Sequence, residues 1–359
     1  MRRRTVSVIV AVAAVALVAA FVVVPGCVTV NPYYVQSKAH HRPDGFQNID
    51  PAAAMPPPFS EFLRWQRERM ARSIPEPKLD LSPIVPDLGY ISKKHDELAV
   101  TWIGHATALI QIGGVNVLTD PHFSERAFNS TWLGPKRRQP PAVLLRELPH
   151  IDAVVISHDH YDHLDAATVT ALNAQAGGPP LFVVPLGVER WLAGEGITNA
   201  KALDWWDTVD VRGLRVHLVP VQHWSGRTIA GRMTTLWGGY VIEGGGKRAF
   251  FAGDTGYSAA HFKEIGARLG PIDLALIPIG GYEPRWFMGR QHASPEEAVQ
   301  IHRDLKARRS LGIHWGTFQL TDEPLDQAVA DLAAARQKFG VSERQFFVLR
   351  HGETRRVLD

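Results

Sequence analysis

Three histidines and an aspartate, His158, His160, Asp162 and His163, fall in the spacing H-x-H-x-D-H directly after the apolar run Ile151-Asp152-Ala153-Val154-Val155-Ile156. The run reads as a buried strand. Its abrupt polar end places the four side chains on one tight loop at the carboxyl end of a parallel sheet, where α/β proteins hold their chemistry. Alternate residues of a loop project to opposite sides, so His158 and His160 can serve one metal ion while Asp162 and His163 serve a second. Imidazole and carboxylate suit zinc, manganese or iron, and the absence of cysteine from the loop argues against a closed structural zinc site. An open, catalytic site is expected. A lone histidine is more often a satisfied hydrogen-bonding group, but here spacing, strand and remote partners agree.

Three further ligand-type residues end apolar strands: His223 after Val219-Pro220-Val221-Gln222, Asp254 after Phe250-Phe251-Ala252-Gly253, and His314 after Leu311-Gly312-Ile313. His223 would complete the first site, His314 the second, and Asp254 would bridge them. His292 precedes Ala293-Ser294-Pro295-Glu296-Glu297, an expected helix start whose backbone amides favour an anion. Arg227, four residues past a ligand, is a candidate phosphate clamp, and Tyr161 within the loop a second substrate contact. A surface-loop histidine and an exposed arginine are the plain alternatives for His292 and Arg227.

The elements that must position these groups follow from periodicity and turn signals. Strands are expected at 100–103, 107–112 and 115–119, with Gly113-Gly114 as a hairpin turn, then at 151–156, 181–184, 215–222, 234–243, 248–252, 272–279 and 346–349. Helices are expected at 165–174, capped by Asp165, and at 257–269, 295–307 and 325–339. Val117-Leu118-Thr119-Asp120 leading to Ile151-Asp152 is echoed by Phe251-Ala252-Gly253-Asp254 leading to Ile272-Asp273. This reads as two related β-rich halves with helices outside and one site between them.

The amino terminus is different in kind. Arg2, Arg3 and Arg4 precede an uncharged apolar stretch at 5–24, which ends at Pro25-Gly26-Cys27. Spanning a bilayer takes about 20 residues, so 1–26 is a secretion signal or a membrane anchor, with the body exported. Val24-Pro25-Gly26-Cys27 resembles a bacterial lipobox, which makes Cys27 a candidate lipidation site. Cys27 is the only cysteine, so the body has no internal disulfide and depends on its core. Without the three leader arginines, basic and acidic residues balance at 36 each, which leaves no general basic field for nucleic acid. Residues 27–95 are rich in proline and read as an extended arm between membrane and domain. Within it, 60–72 is an expected amphipathic helix, capped by Ser60, that either rests on anionic lipid or packs on the domain. Residues 96–359 form the catalytic domain.

The loop and its remote partners resemble the metallo-β-lactamase superfamily, an α/β fold built as a four-layer αββα sandwich. Reading outward, Trp102-Ile103-Gly104-His105-Ala106-Thr107, Gly134-Pro135-Lys136-Arg137, Gln222-His223-Trp224, Gly253-Asp254-Thr255-Gly256-Tyr257, Tyr282-Glu283-Pro284-Arg285-Trp286-Phe287-Met288 and His314-Trp315-Gly316-Thr317-Phe318 narrow the match. They resemble the N-acylphosphatidylethanolamine-hydrolysing phospholipase D family, from about residue 40 onward, and 282–288 is the most specific stretch. The resemblance implies a membrane-associated zinc phosphodiesterase, commonly a homodimer. It also implies two zinc ions per chain on the seven ligands named, with His292 at a functional position. The leader departs from the animal enzymes and points to a bacterial, exported member anchored in the cell envelope. Ser225 and Ser258 stand where the animal enzymes have cysteine.

The reaction so implied is hydrolysis of an N-acylphosphatidylethanolamine-like lipid at a membrane surface to N-acylethanolamine and phosphatidate. Metal-bound hydroxide would attack phosphorus, with Asp162 in the metal site and His292 aiding the leaving oxygen. Alternatives are a lactone, β-lactam or soluble-phosphodiester hydrolase on the same fold, or a non-catalytic envelope lipoprotein.

Overall fold

The computed structural model describes residues 30–228 and 230–357. The leader and Cys27 lie outside the described residues. The first sheet takes β1 (Ala99–Gly104), β2 (Thr107–Ile112), β3 (Val115–Thr119), β4 (Ala153–Val155), β5 (Leu181–Pro185) and β6 (Ala200–Leu203). The second takes β7 (Thr208–Val211), β8 (Leu214–Val219), β9 (Gly239–Gly244), β10 (Lys247–Phe251), β11 (Leu274–Pro278), β12 (Ser310–Ile313) and β13 (Phe346–Phe347). The chain then returns, and β14 (Thr354–Arg356) pairs with β1 at the edge of the first sheet. The main helices are α1 (Phe59–Met70), α2 (Ala166–Asn173), α3 (Val188–Gly194), α4 (Ala259–Arg268), α5 (Arg285–Met288), α6 (Pro295–Asp304) and α7 (Gln327–Phe339).

The two sheets share one pairing pattern. In the first, β14, β1, β2 and β3 are antiparallel neighbours and β3 to β6 run parallel. In the second, β7 to β10 are antiparallel and β10 to β13 parallel. The echoed segments take equivalent places, since β3 lies beside β4 as β10 lies beside β11. The duplication is thus visible in the topology, and β14 fills in the first sheet the place that β7 has in the second.

Alternation along each strand decides the layers. Ala153 and Val155 of β4 enter the core between the sheets, while Val154 points outward to join Val169 and Leu172 of α2 and Val188 and Leu192 of α3. The far face of the second sheet is covered by α4, α6 and α7, whose Phe262, Ile265, Ala298, Ile301 and Leu332 are buried. Each fully buried Phe, Ile or Leu among them contributes about 1.5–3 kcal/mol. The architecture is the four-layer αββα sandwich of a metallo-β-lactamase fold, and the loops after β4, β10 and β12 open at one edge.

Strand ends depart from the sequence reading where proline or glycine intervenes. The strand expected at 215–222 stops at Val219, because Pro220 has no N–H for the ladder. The strand expected at 234–243 begins only at Gly239, because the N–H groups of Leu236 and Gly238 go to the carbonyls of Leu186 and Ser157. Ser60 does not cap α1, which starts at Phe59 behind Pro58 without a side-chain cap. Asp165 does precede α2, but its carboxylate accepts the N–H groups of Phe123 and Ser124 from the neighbouring loop.

Residues 30–95, read from their prolines as an extended arm, are packed on the sandwich. Proline forbids regular ladders, not burial. Phe46 enters the main core and Ile91 the core under the first sheet. Trp65, the buried residue of α1, stacks on Phe287 of α5 with ring centroids 5.1 Å apart. Arg69 then ties the end of α1 to the carbonyls of Gln319 and Leu320. Phe59, Phe62, Leu63 and Met70 face outward. Among the described residues, no helix is long and apolar enough to cross a membrane.

Candidate metal centre

The loop after β4 folds back on itself, with the N–H groups of His163 and Leu164 both donating to the carbonyl of His160. This turn gathers two sets of donors. In the first, His158 Nε2 lies 2.8 Å from His160 Nδ1, which lies 3.2 Å from His223 Nε2. His223 arrives three residues past Pro220, and its Nδ1 faces the carbonyl of Gln291 at 2.9 Å, which orients Nε2 inward.

The second set forms around Asp162. Its Oδ2 lies 3.3 Å from His163 Nε2 and 3.5 Å from His314 Nε2. Asp254, after β10, stands between the sets: 3.1 Å from His163 and 3.0 Å from His314, and 3.8 Å from His223. Gly253 makes this approach possible, since it has a left-handed φ of 61° and a Cβ there would come within 2.3 Å of Ser157. His314 itself has a φ of 65°. All seven side chains expected as ligands are therefore brought together.

The donor set fits a divalent cation. His314 Nε2 and Asp254 Oδ1 are buried and face each other, yet neither has a hydrogen-bond partner; His292 Nδ1 is likewise buried and unpaired. Such convergence without hydrogen bonding is costly for polar groups and suited to ligands of a shared ion. Burial pushes His160 and His223 down to about 3, so the first set is neutral imidazole. In the second set burial opposes charge, but the neighbours outweigh it. Asp162 and Asp254 are held well below the usual carboxylate range, chiefly by His163, and His314 is raised to about 9, chiefly by Asp254. Two carboxylates thus hold protons on nearby imidazoles, and a divalent ion would displace those protons.

Residues 115–315 match a family model described as a beta-lactamase superfamily domain. The chain is 38% identical over 298 residues to N-acyl-phosphatidylethanolamine-hydrolyzing phospholipase D 1 of Caenorhabditis elegans, covering 79% of this chain and 82% of that protein. The chain belongs to the N-acylphosphatidylethanolamine-hydrolysing phospholipase D family. It is also 42% identical over 310 residues to an uncharacterized protein of Mycobacterium tuberculosis, with 84% of this chain and 81% of that one covered. Among solved structures, the metallo hydrolase Igni18 of Ignicoccus hospitalis superposes with a TM-score of 0.53 at 22% identity, over 72% of this chain and 97% of that one. That likeness supports the fold.

In this phospholipase D family member, the stretch 282–288 holds His292. Arg285 donates to the His292 carbonyl at 2.8 Å and to Glu297 Oε2 at 2.7 Å. Glu297 forms a capping box with Ser294 at the start of α6. His292 is thereby fixed with Nδ1 3.8 Å from Asp254, beside the donor sets as expected. Burial pushes its imidazole down to about 3.

Tyr161 and Arg227, expected as substrate contacts, are tied to each other and to the ligand loop. Arg227 Nη1 donates to the carbonyls of Asp159 and Leu164 at 3.0 and 2.8 Å, and the guanidinium lies over the rings of Tyr161 and Trp191. Tyr161 Oη donates to the Arg227 carbonyl. The pair braces the ligand loop, with Nη1 committed to two of its carbonyls and the guanidinium face to two rings.

Asp120 and His105 were absent from the expected ligand set, and both touch it. Asp120 accepts the N–H and hydroxyl of Ser157 at 2.7 and 2.6 Å, and also bonds His163. The signal for both was positional: each is a polar residue at the end of an apolar strand, Asp120 after β3 and His105 after β1.

Proposed function

We propose that the protein is a di-zinc phosphodiesterase of the phospholipase D type, anchored in a bacterial cell envelope. It cleaves N-acylphosphatidylethanolamine-like lipids to N-acylethanolamine and phosphatidate. The observation that carries this reading is the pair of donor sets sharing Asp254, with His292 beside them. His158, His160 and His223 would hold one ion, Asp162, His163 and His314 the other, and Asp254 both. Bound there, two divalent ions supply charge neutralisation for phosphate oxygens and an activated water at neutral pH. His292, neutral and unpaired at Nδ1, can hydrogen-bond the leaving oxygen of the head group as negative charge develops on it.

A lipid substrate is supported by exposed apolar side chains. They are Phe59, Phe62, Leu63 and Met70 on α1, Phe128, whose ring lies 4.5 Å from that of Tyr161 in the ligand loop, and Trp132 and Leu133. Arg64, Arg67 and Arg72 accompany those of α1, a pairing suited to anionic membrane.

Elemental analysis of protein purified without chelator, with mass spectrometry of products from total envelope lipid, tests the proposal. Two zinc ions per chain and release of N-acylethanolamine with phosphatidate are expected. Full activity at one ion or fewer overturns the binuclear reading, and absence of N-acylethanolamine overturns the substrate. Radiolabelled palmitate entering the wild type but not Cys27→Ala tests the anchor.

A further inference from the structure

His105 occupies the first central position of the two-residue turn between β1 and β2, with a left-handed φ of 54°. Glycine is the residue such a position favours. The backbone bonds made here would survive that exchange: the His105 N–H donates to Thr317 Oγ1 at 2.9 Å, and its carbonyl accepts from the His314 N–H and from Trp102 Nε1, both at 3.0 Å. What glycine would lose is the imidazole, which is almost fully buried and places Nε2 2.9 Å from Asp162 Oδ2. The side chain is held at a strained backbone position, and its one hydrogen bond leads to a ligand of the second donor set.

Resting on the two-metal reading above, we infer that His105 is a positioning residue for the second metal site, fixing Asp162 by a donated hydrogen bond and His314 through its carbonyl. The two contacts come from one residue but reach opposite halves of the molecule. Asp162 belongs to the loop after β4 in the first sheet, and His314 follows β12 in the second. His105 therefore sets the separation of two ligands that no local sequence relation fixes. The atom His105 holds is the same Asp162 Oδ2 that faces His163 and His314, so the hydrogen bond acts directly on the oxygen turned toward the second donor set. Loss of an outer hydrogen bond to a metal ligand typically weakens metal binding by about 10–100-fold.

Three variants separate the side chain from the backbone. His105→Leu keeps a bulky side chain and the backbone strain but has no donor. His105→Gly relieves the strain and has no donor. His105→Gln keeps a donor of similar reach. Zinc affinity is read by competition with a chromogenic chelator, alongside kcat and KM on a soluble phosphodiester and thermal unfolding of the metal-free proteins. The expected result is one zinc ion held about 10–100-fold more weakly in the leucine and glycine variants, with kcat reduced and KM little changed, and substantial recovery in His105→Gln. The inference is overturned if His105→Gly binds both ions as tightly as the wild type, or if His105→Gln loses as much as His105→Leu while all metal-free forms stay folded. Should the wild type itself bind no zinc, the two-metal reading fails first and this inference falls with it.

Discussion

Nδ1 of His163 lies 2.6 Å from Oδ2 of Asp120, and both residues are wholly buried. The hydrogen bond leaves Nε2 of His163 as the atom that faces Asp162 and Asp254. A carboxylate behind a histidine ligand fixes its tautomer and raises its basicity.

Asp120→Asn keeps the size of the side chain and tolerates the left-handed φ of 31° at this position, but removes the charge. Catalytic rate and metal retention should both fall, by about 10–100-fold. Dialysis against graded chelator followed by elemental analysis reads the second effect; unchanged retention would show that Asp120 only supports the Ser157 turn.

Arg227→Met should behave as the loss of a brace. The carbonyls of Asp159 and Leu164 lose their donor, at a cost of about 1–3 kcal/mol each. Thermal unfolding should move down by several degrees and kcat should fall with KM little changed. A selective rise in KM at constant unfolding temperature would instead restore the phosphate-clamp role.

Trp65→Ala tests whether α1 is a fixed part of the body. Removing the Trp65–Phe287 stack should cost about 2 kcal/mol of local stability, making local opening about thirtyfold more frequent. Trypsin cleavage at Arg64, Arg67 or Arg69 should accelerate accordingly. An unchanged digestion rate would mean that the remaining contacts, such as Arg64 over Trp286, hold the helix alone.

Acid should release the arm at a second point. Asp204, buried between the sheets' connecting strands, pairs with His40 at 2.7 Å, His41 at 2.9 Å and Lys38. Burial alone would raise its carboxyl, but bonds from His40 and Lys38 outweigh that and lower it below the ordinary value. A carboxyl depressed in the folded state stabilises fully above its unfolded pKa of about 3.9, and the contribution disappears as pH falls through the folded value. Asp204→Asn should therefore cost about 3 kcal/mol at pH 7, with the gap to wild type closing below about pH 4. Denaturant unfolding at several pH values measures it; a gap independent of pH would assign the loss to packing.

The metal loop was legible in the sequence because its chemistry is local: H-x-H-x-D-H needs no partner to be noticed, and β-branched residues before it mark the strand. His223, Asp254 and His314 were legible for a related reason, each being a polar residue that ends an apolar strand. The echoed Asp-ending strands pointed to two related β-rich halves, and they recur as β3 beside β4 and β10 beside β11; the sandwich of two sheets was implied by the superfamily resemblance. Prolines in 27–95 suggested an extended arm, because composition reports what a backbone cannot form but not what its side chains can bury, as Phe46, Trp65 and Ile91 do. Arg227 could be placed near the site by its distance from His223 in sequence, but the direction of a long side chain depends on rings and carbonyls from two separate segments, the ligand loop and α3. His105 is the extreme case. Its residue type and its position after β1 are visible in the chain, yet its role arises from contacts to Asp162 and His314, 57 and 209 residues away, which only the closing of two sheets into one sandwich brings together.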